Sequence, residues 1–149
     1  MPGWLVHRRW AIRFGISPAV ADTINVLIDN RLPHDSGRKR ASDDYIMREM
    51  IISQFGYEGY AAYLLHHVLD YIADRIKKTG EIPTIEQVRR KFSRMLPIGR
   101  PYLTPHGLGI TRWGVFNIDD MSMTMFHEVL NFIEKHFDEI VEDILSSAP

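Results

Sequence analysis

The chain has 149 residues, 45% of them apolar and 25% charged, with a formal net charge of −1, which suits one soluble domain with its own core and excludes polyelectrolyte character. Cysteine is absent, so disulfides and thiolate metal sites are excluded and any metal must rest on His, Asp, Glu and water. Residues 1–40 carry seven Arg or Lys against three Asp or Glu, while residues 118–149 carry one against eight. Blocks this diffuse are read as solvated faces, with internal pairing or a partner as alternatives.

Helical periodicity dominates. Trp4, His7, Trp10, Ala11 and Phe14 fall on one face of a first helix that Gly15 ends. Ser17 and Pro18 supply an N-cap and first position for a second helix, with Val20, Ile24, Leu27 and Ile28 inward. Residues 30–40 read as a loop. Ser42, Asp43 and Asp44 open a third helix ending at Gly56. A fourth, roughly Tyr57 to Lys78, has Ala61, Leu65, Val68, Ile72 and Ile76 as its apolar stripe. Pro83, Thr84 and Gln87 start a fifth through a capping box, with Ile85, Val88, Phe92 and Met95 inward. The glycine- and proline-rich stretch 97–117 reads as one long irregular loop with room for a hairpin around Gly107–Gly109. A last helix, about Asp119 to Leu145, turns Phe126, Val129, Leu130, Ile133, Phe137, Ile140 and Ile144 to one side. The expected fold is all-α: one compact bundle of about six helices, forming a single domain over 1–149.

Chemistry concentrates in three places. His7 stands in the middle of an apolar stripe, and a buried imidazole needs a hydrogen bond or a metal, since leaving it unpaired costs about 1–3 kcal/mol. His34-Asp35-Ser36-Gly37-Arg38-Lys39 sets two potential ligands beside a flexible turn and two cations able to hold a phosphate. His66 and Asp70 are four apart and share one side of the fourth helix, at the flank of its stripe, where they can ligate a metal or form an ion pair. His67 points nearly opposite the stripe and reads as a solvent or outer residue; Asp74 continues the Asp70 row.

The segment from His7 through the H34-D35-S-G-R-K run resembles the HD superfamily of metal-dependent phosphohydrolases, over roughly residues 5–75, about half the chain. Members are helical bundles in which an early His, an HDxGK or HDxGR doublet and a later Asp bind the metal. The resemblance implies His7, His34 and Asp35 as ligands, a later Asp that is Asp70, Asp119 or Asp120, and His66 or His106 as additions. Asp70 is preferred for its pairing with His66. The implied chemistry is attack of metal-activated water on a phosphate ester of a nucleotide or phosphorylated metabolite, with a divalent ion of the set Mn, Fe, Co, Ni, Zn or Mg. Arg38 and Lys39 would neutralise phosphate charge, and Asp35 and His66 would take part in catalysis.

Two other readings stand beside it. The His66-x-x-x-Asp70 spacing also suits a zinc-dependent phospholipase C or nuclease. A non-enzymatic helical interaction module would use Trp4, Trp10, Trp113 and the Tyr57–Tyr63 cluster as interface or core. Arg89, Arg90, Lys91 and Arg94 form a cationic face, but the near-zero net charge and acidic tail argue against a nucleic-acid partner. No apolar run is long enough to cross a bilayer, and the N-terminus reverses the order of a secretory signal, so the expected location is cytoplasmic, away from membranes.

Overall fold

The computed structural model describes residues 3–30, 41–93 and 120–147. Six helices make up this part: α1 (Trp4–Phe14), α2 (Pro18–Asn30), α3 (Ala41–Thr79), α4 (Ile85–Ser93), α5 (Asp120–Lys135) and α6 (Phe137–Ser147). No strand occurs among the described residues, and none of these helices is long and apolar enough to cross a membrane. The 97–117 loop, Met95, Arg94 and Trp113 lie outside the described residues.

Local signals act where the sequence places them. Gly15 adopts a left-handed φ of 116°, and its N–H donates to the carbonyls of Ala11 and Ile12, closing α1. Thr84 and Gln87 exchange bonds reciprocally: the Gln87 side chain accepts from the Thr84 N–H at 2.9 Å, and Thr84 Oγ1 accepts from the Gln87 N–H at 3.1 Å. The expected helix end at Gly56 is a break within α3, where φ 72° and ψ −169° suit only a residue without Cβ.

The second half of α3 departs from the expected stripe. From Gly59 to Ala73 every residue is buried except His67 and Tyr71, which are half-buried. The reason is its position, since α1, α2, α4 and α5 all pack against it. A helix enclosed on every side is apolar all round rather than along one stripe. This placement sends His66 and Asp70 into the interior.

Two further expectations change. Val6, rather than Trp4, joins His7, Trp10 and Ala11 on the buried face of α1; Trp4 is exposed, with the Arg8 guanidinium over its ring at 5.9 Å. The single last helix divides at His136, although the N–H of His136 still donates to Phe132 and the N–H of Ile140 to His136. The basic front and acidic tail are not merely solvated. Asp143 of α6 accepts from Arg9 at 2.7 Å and from Trp10 Nε1 at 2.8 Å, and Glu139 accepts from Arg13 at 3.0 Å, so α1 is tied to α6.

Close approach at the α3 break makes one glycine structural. A Cβ on Gly59 would lie 2.5 Å from Phe55 Cβ and 3.2 Å from Ile51 Cγ2. Alanine there gains about 1 kcal/mol of helix propensity but incurs overpacking of about 1–3 kcal/mol. Gly59→Ala is therefore expected to lower the urea unfolding midpoint; an unchanged or higher midpoint would show that the two halves of α3 do not meet this closely.

Candidate metal centre

Three helices deliver polar side chains to one buried point. α1 contributes His7, α2 contributes Asn25 and Asp29, and α3 contributes His66 and Asp70. His7 and Asn25 lie on the buried faces of their helices, beside Trp10 and Ile24 respectively. Asp29 follows Asn25 by one helical turn, as Asp70 follows His66, so two i,i+4 pairs face each other across the α2–α3 contact.

Asp70 is the hub. Its Oδ1 meets His7 Nε2 at 3.0 Å, and its Oδ2 lies 3.2 Å from His66 Nε2. The two imidazoles stack with centroids 4.0 Å apart and planes 7° from parallel, so each presents Nε2 to a different oxygen of one carboxylate. On its other side His66 Nε2 lies 3.4 Å from Asp29 Oδ1. Asn25 Oδ1 sits 2.9 Å from His66 Nδ1. Nδ1 of His66 thus faces the Asn25 amide oxygen while Nε2 faces Asp70 and Asp29, which holds the ring in one orientation. Ligating histidines are commonly fixed in this way, by an acceptor on the remote ring nitrogen.

These distances have a simple meaning. Ligand atoms about 2.1 Å from a common ion stand about 3.0 Å apart when octahedral neighbours and about 3.4 Å apart when tetrahedral. The contacts of 3.0, 3.2 and 3.4 Å, the first two to different oxygens of Asp70, are those of hydrogen-bonded and ion-paired groups and are close enough for an ion to take the place of a proton between them. One ligand atom from each of His7, His66 and Asp70 lies within 4.8 Å of the others, so the three can hold a metal ion. His7 Nδ1 is buried without a hydrogen-bond partner among the described residues.

The protonation states fit the same role. Burial pushes His7 below the ordinary imidazole value and neighbouring His66 adds to this, outweighing the pull of Asp70, so His7 is neutral near pH 7. Burial opposes ionisation of Asp70, but hydrogen bonds from His66 and His7 outweigh it and hold the carboxyl well below the usual carboxylate range. A neutral imidazole beside an ionised carboxylate is the state in which both donate to a metal.

Of the residues singled out from the sequence, the structure brings together His7, His66 and Asp70. His34, Asp35, Arg38, Lys39, His106 and Asp119 lie outside the described residues, as does the side chain of Asp120. His66 and Asp70 are interior rather than flanking, because α3 is enclosed. His67 is half-buried rather than facing solvent, its ring edge-on to Tyr63 at 4.7 Å and to His66 at 5.8 Å. Asn25 and Asp29 were not anticipated. Their signal was a polar i,i+4 pair inside the apolar run Ile24–Asp29, on the side of the helix that carries Ile24 and Ile28. Comparison with known protein families, curated proteins and solved structures returns no match.

The shifts fix a direction for stability. Because His7 is depressed in the folded state, its contribution is complete above its ordinary value of 6.5 and declines as pH falls below it. Asp70 is depressed from 3.8, so its contribution is complete above that value and is lost at lower pH. Urea unfolding in the presence of a chelator should therefore show stability falling from pH 7 to 5 and falling further below pH 4. A maximum near pH 5 would contradict the assigned states.

Proposed function

We propose that this centre, completed by the His34-Asp35 doublet, binds a divalent cation and hydrolyses a phosphate ester of a nucleotide or small phosphorylated metabolite. The proposal includes membership of the HD superfamily that residues 5–75 resemble. The observation that carries it is the convergence of His7 from α1 with His66 and Asp70 from α3, one ligand atom of each within 4.8 Å of the others, with Asp29 of α2 beside them.

A divalent ion bound there supplies Lewis acidity that makes water nucleophilic near neutral pH. Two imidazoles with carboxylates and no thiolate favour Mn, Fe, Co, Ni or Zn, with Mg less well matched to nitrogen donors. The chain does the rest. His7 presents a neutral ring, and Asp70 holds the negative charge that the cation needs. Asn25 keeps the His66 ring oriented with Nε2 toward the carboxylates. Asp29 is the accessible acid of the group, its side chain 29% exposed against 4% for Asp70, and it can accept a proton from attacking water. The doublet follows Asp29 by five and six residues in sequence. Arg38 and Lys39 would then neutralise charge developing on the phosphate.

Elemental analysis of the purified chain tests the metal, and a panel of nucleotides and phosphorylated metabolites with Mn, Co, Ni, Zn and Mg tests the reaction. The expected results are a bound divalent ion lost in Asp70→Ala and affinity about 10–100-fold weaker in Asn25→Ala. Hydrolysis should be abolished by His34→Ala and Asp35→Ala. A chain that neither holds nor is stabilised by any of these ions would remove the metal centre. Binding without hydrolysis of any ester would remove the hydrolase and leave a structural site.

A further inference from the structure

Among the described residues seven large apolar side chains are exposed, and four of them, Trp4, Leu5, Ile12 and Val26, belong to α1 and α2. Scattered singly such residues are ordinary; gathered together they mark an interaction surface. An ion pair gathers these four. Arg8 Nε donates to both oxygens of Asp22, at 3.1 and 3.3 Å, and the same guanidinium lies over the Trp4 ring at 5.9 Å. Leu5 stands three residues before Arg8 and Ile12 four after it, so both flank it on one side of α1. Val26 stands one turn beyond Asp22 on α2. The patch therefore has a half-buried Arg–Asp pair at its centre and apolar groups around it.

The placement follows from the buried side of α1. Val6, His7, Trp10 and Ala11 turn inward, which leaves Trp4, Leu5, Arg8 and Ile12 within an adjoining arc of about 100°. Packing of the bundle gives no reason for apolar residues there, since Leu5 is 62% exposed and a polar residue would suit a solvated face as well. The charges choose among occupants. Arg8, Arg9 and Arg13 are each matched by a carboxylate, of Asp22, Asp143 and Glu139, so this helix has no surplus cation to draw a polyanion or an anionic lipid surface. A cation and an anion side by side are instead complementary to their own copy turned about a two-fold axis. Arg8 engages Asp22 through Nε alone. Its two terminal nitrogens donate to no described residue and suit a carboxylate arriving from outside.

We propose that the α1–α2 face is the interface of a two-fold dimer of this chain. Arg8 of each copy meets Asp22 of the other, and Trp4, Leu5, Ile12 and Val26 of both copies close around the two crossed pairs. In such an isologous contact one patch serves both copies. Apolar burial supplies the affinity, and the crossed pairs fix the relative orientation. A patch of this extent supports a reversible dimer rather than an obligate one. The inference uses no ligand of the metal centre and is independent of it.

Sedimentation velocity of the full chain over about 1–100 μM is the test, a range suited to a small interface. The sedimentation coefficient should rise with concentration toward that of a dimer. Leu5→Gln combined with Ile12→Gln should weaken association about tenfold or more. Both side chains are exposed, so this variant keeps its fold, and thermal melts of every variant check the same point. Arg8→Glu and Asp22→Arg should each be monomeric, because like charges then meet across the axis. An equimolar mixture of the two should recover the dimer, since each copy offers the charge that the other needs while the pair within each chain stays broken. A purely internal Arg8–Asp22 pair cannot give that recovery. A chain monomeric at every concentration would overturn the proposal, as would association indifferent to the Leu5 and Ile12 changes, or folded charge variants that fail to rescue each other. Flotation with phosphatidylserine–phosphatidylcholine vesicles runs in parallel. Binding to them that the Leu5 and Ile12 changes abolish would assign the face to a lipid surface and overturn the dimer.

Discussion

The Asp70 carboxylate, set across the Nε2 edges of two stacked imidazoles in the interior, is the constraint around which the other contacts are arranged. An ionised carboxylate away from water carries a desolvation cost of several kcal/mol, and it persists only where partners satisfy its oxygens. His7 meets one oxygen and His66 approaches the other. His66 is a neighbour on the same helix, but His7 must arrive on α1, from 63 residues earlier in the chain. The charge on Asp70 therefore specifies how α1 seats against α3. Taking away one partner of such a group typically costs about 3–5 kcal/mol, because the remaining charge is stranded.

That seating is reinforced from outside. Gly15 ends α1 so that α2 can return along it, and Asp143 accepts from both Arg9 and Trp10 on the face toward α6. Arg13 lies over the Trp10 ring at 4.3 Å while pairing with Glu139. Exposed ion pairs of this kind contribute about 0–1 kcal/mol each, so they do not hold the bundle together. They add orientation to a helix whose anchoring is apolar, through Val6, Trp10 and Ala11. An apolar residue of similar volume at position 70 would satisfy the packing without any of this, so packing alone gives no reason for a charge there. That is the physical basis for reading the cluster as a site.

The sequence carried some of this plainly and some of it not at all. His7 was identifiable because a lone imidazole in a row of Trp, Ala and Phe stands out at helical spacing. His66 and Asp70 were identifiable as a pair, but not as interior groups, since one helix's periodicity cannot reveal that four others enclose it. Asn25 and Asp29 went unrecognised because one is a single amide inside an apolar run and the other an ordinary acid at a helix end, and only the fold turns them toward His66. The break at Gly56 was readable from a residue type; the division at His136 was not, because apolar spacing continues through it. The reading of the charge blocks as solvated faces failed because the pairing of Arg9 with Asp143 spans 134 residues, far beyond any local pattern.

Exposure within the cluster gives it a direction. His66, His7 and Asp70 have side chains 0%, 2% and 4% accessible, whereas Asp29 reaches 29%. The closed side is made by α1 and α3, and the open side is the C-terminal end of α2. Among the described residues Asp29 is the most solvent-accessible member of the cluster, and in sequence it precedes the His34-Asp35 doublet. The proposed chemistry requires this polarity: ligands shielded from water on one side, and a proton acceptor on the side where water and substrate enter. Were the gradient reversed, with Asp29 buried and Asp70 exposed, the same residue types would form a surface ion pair.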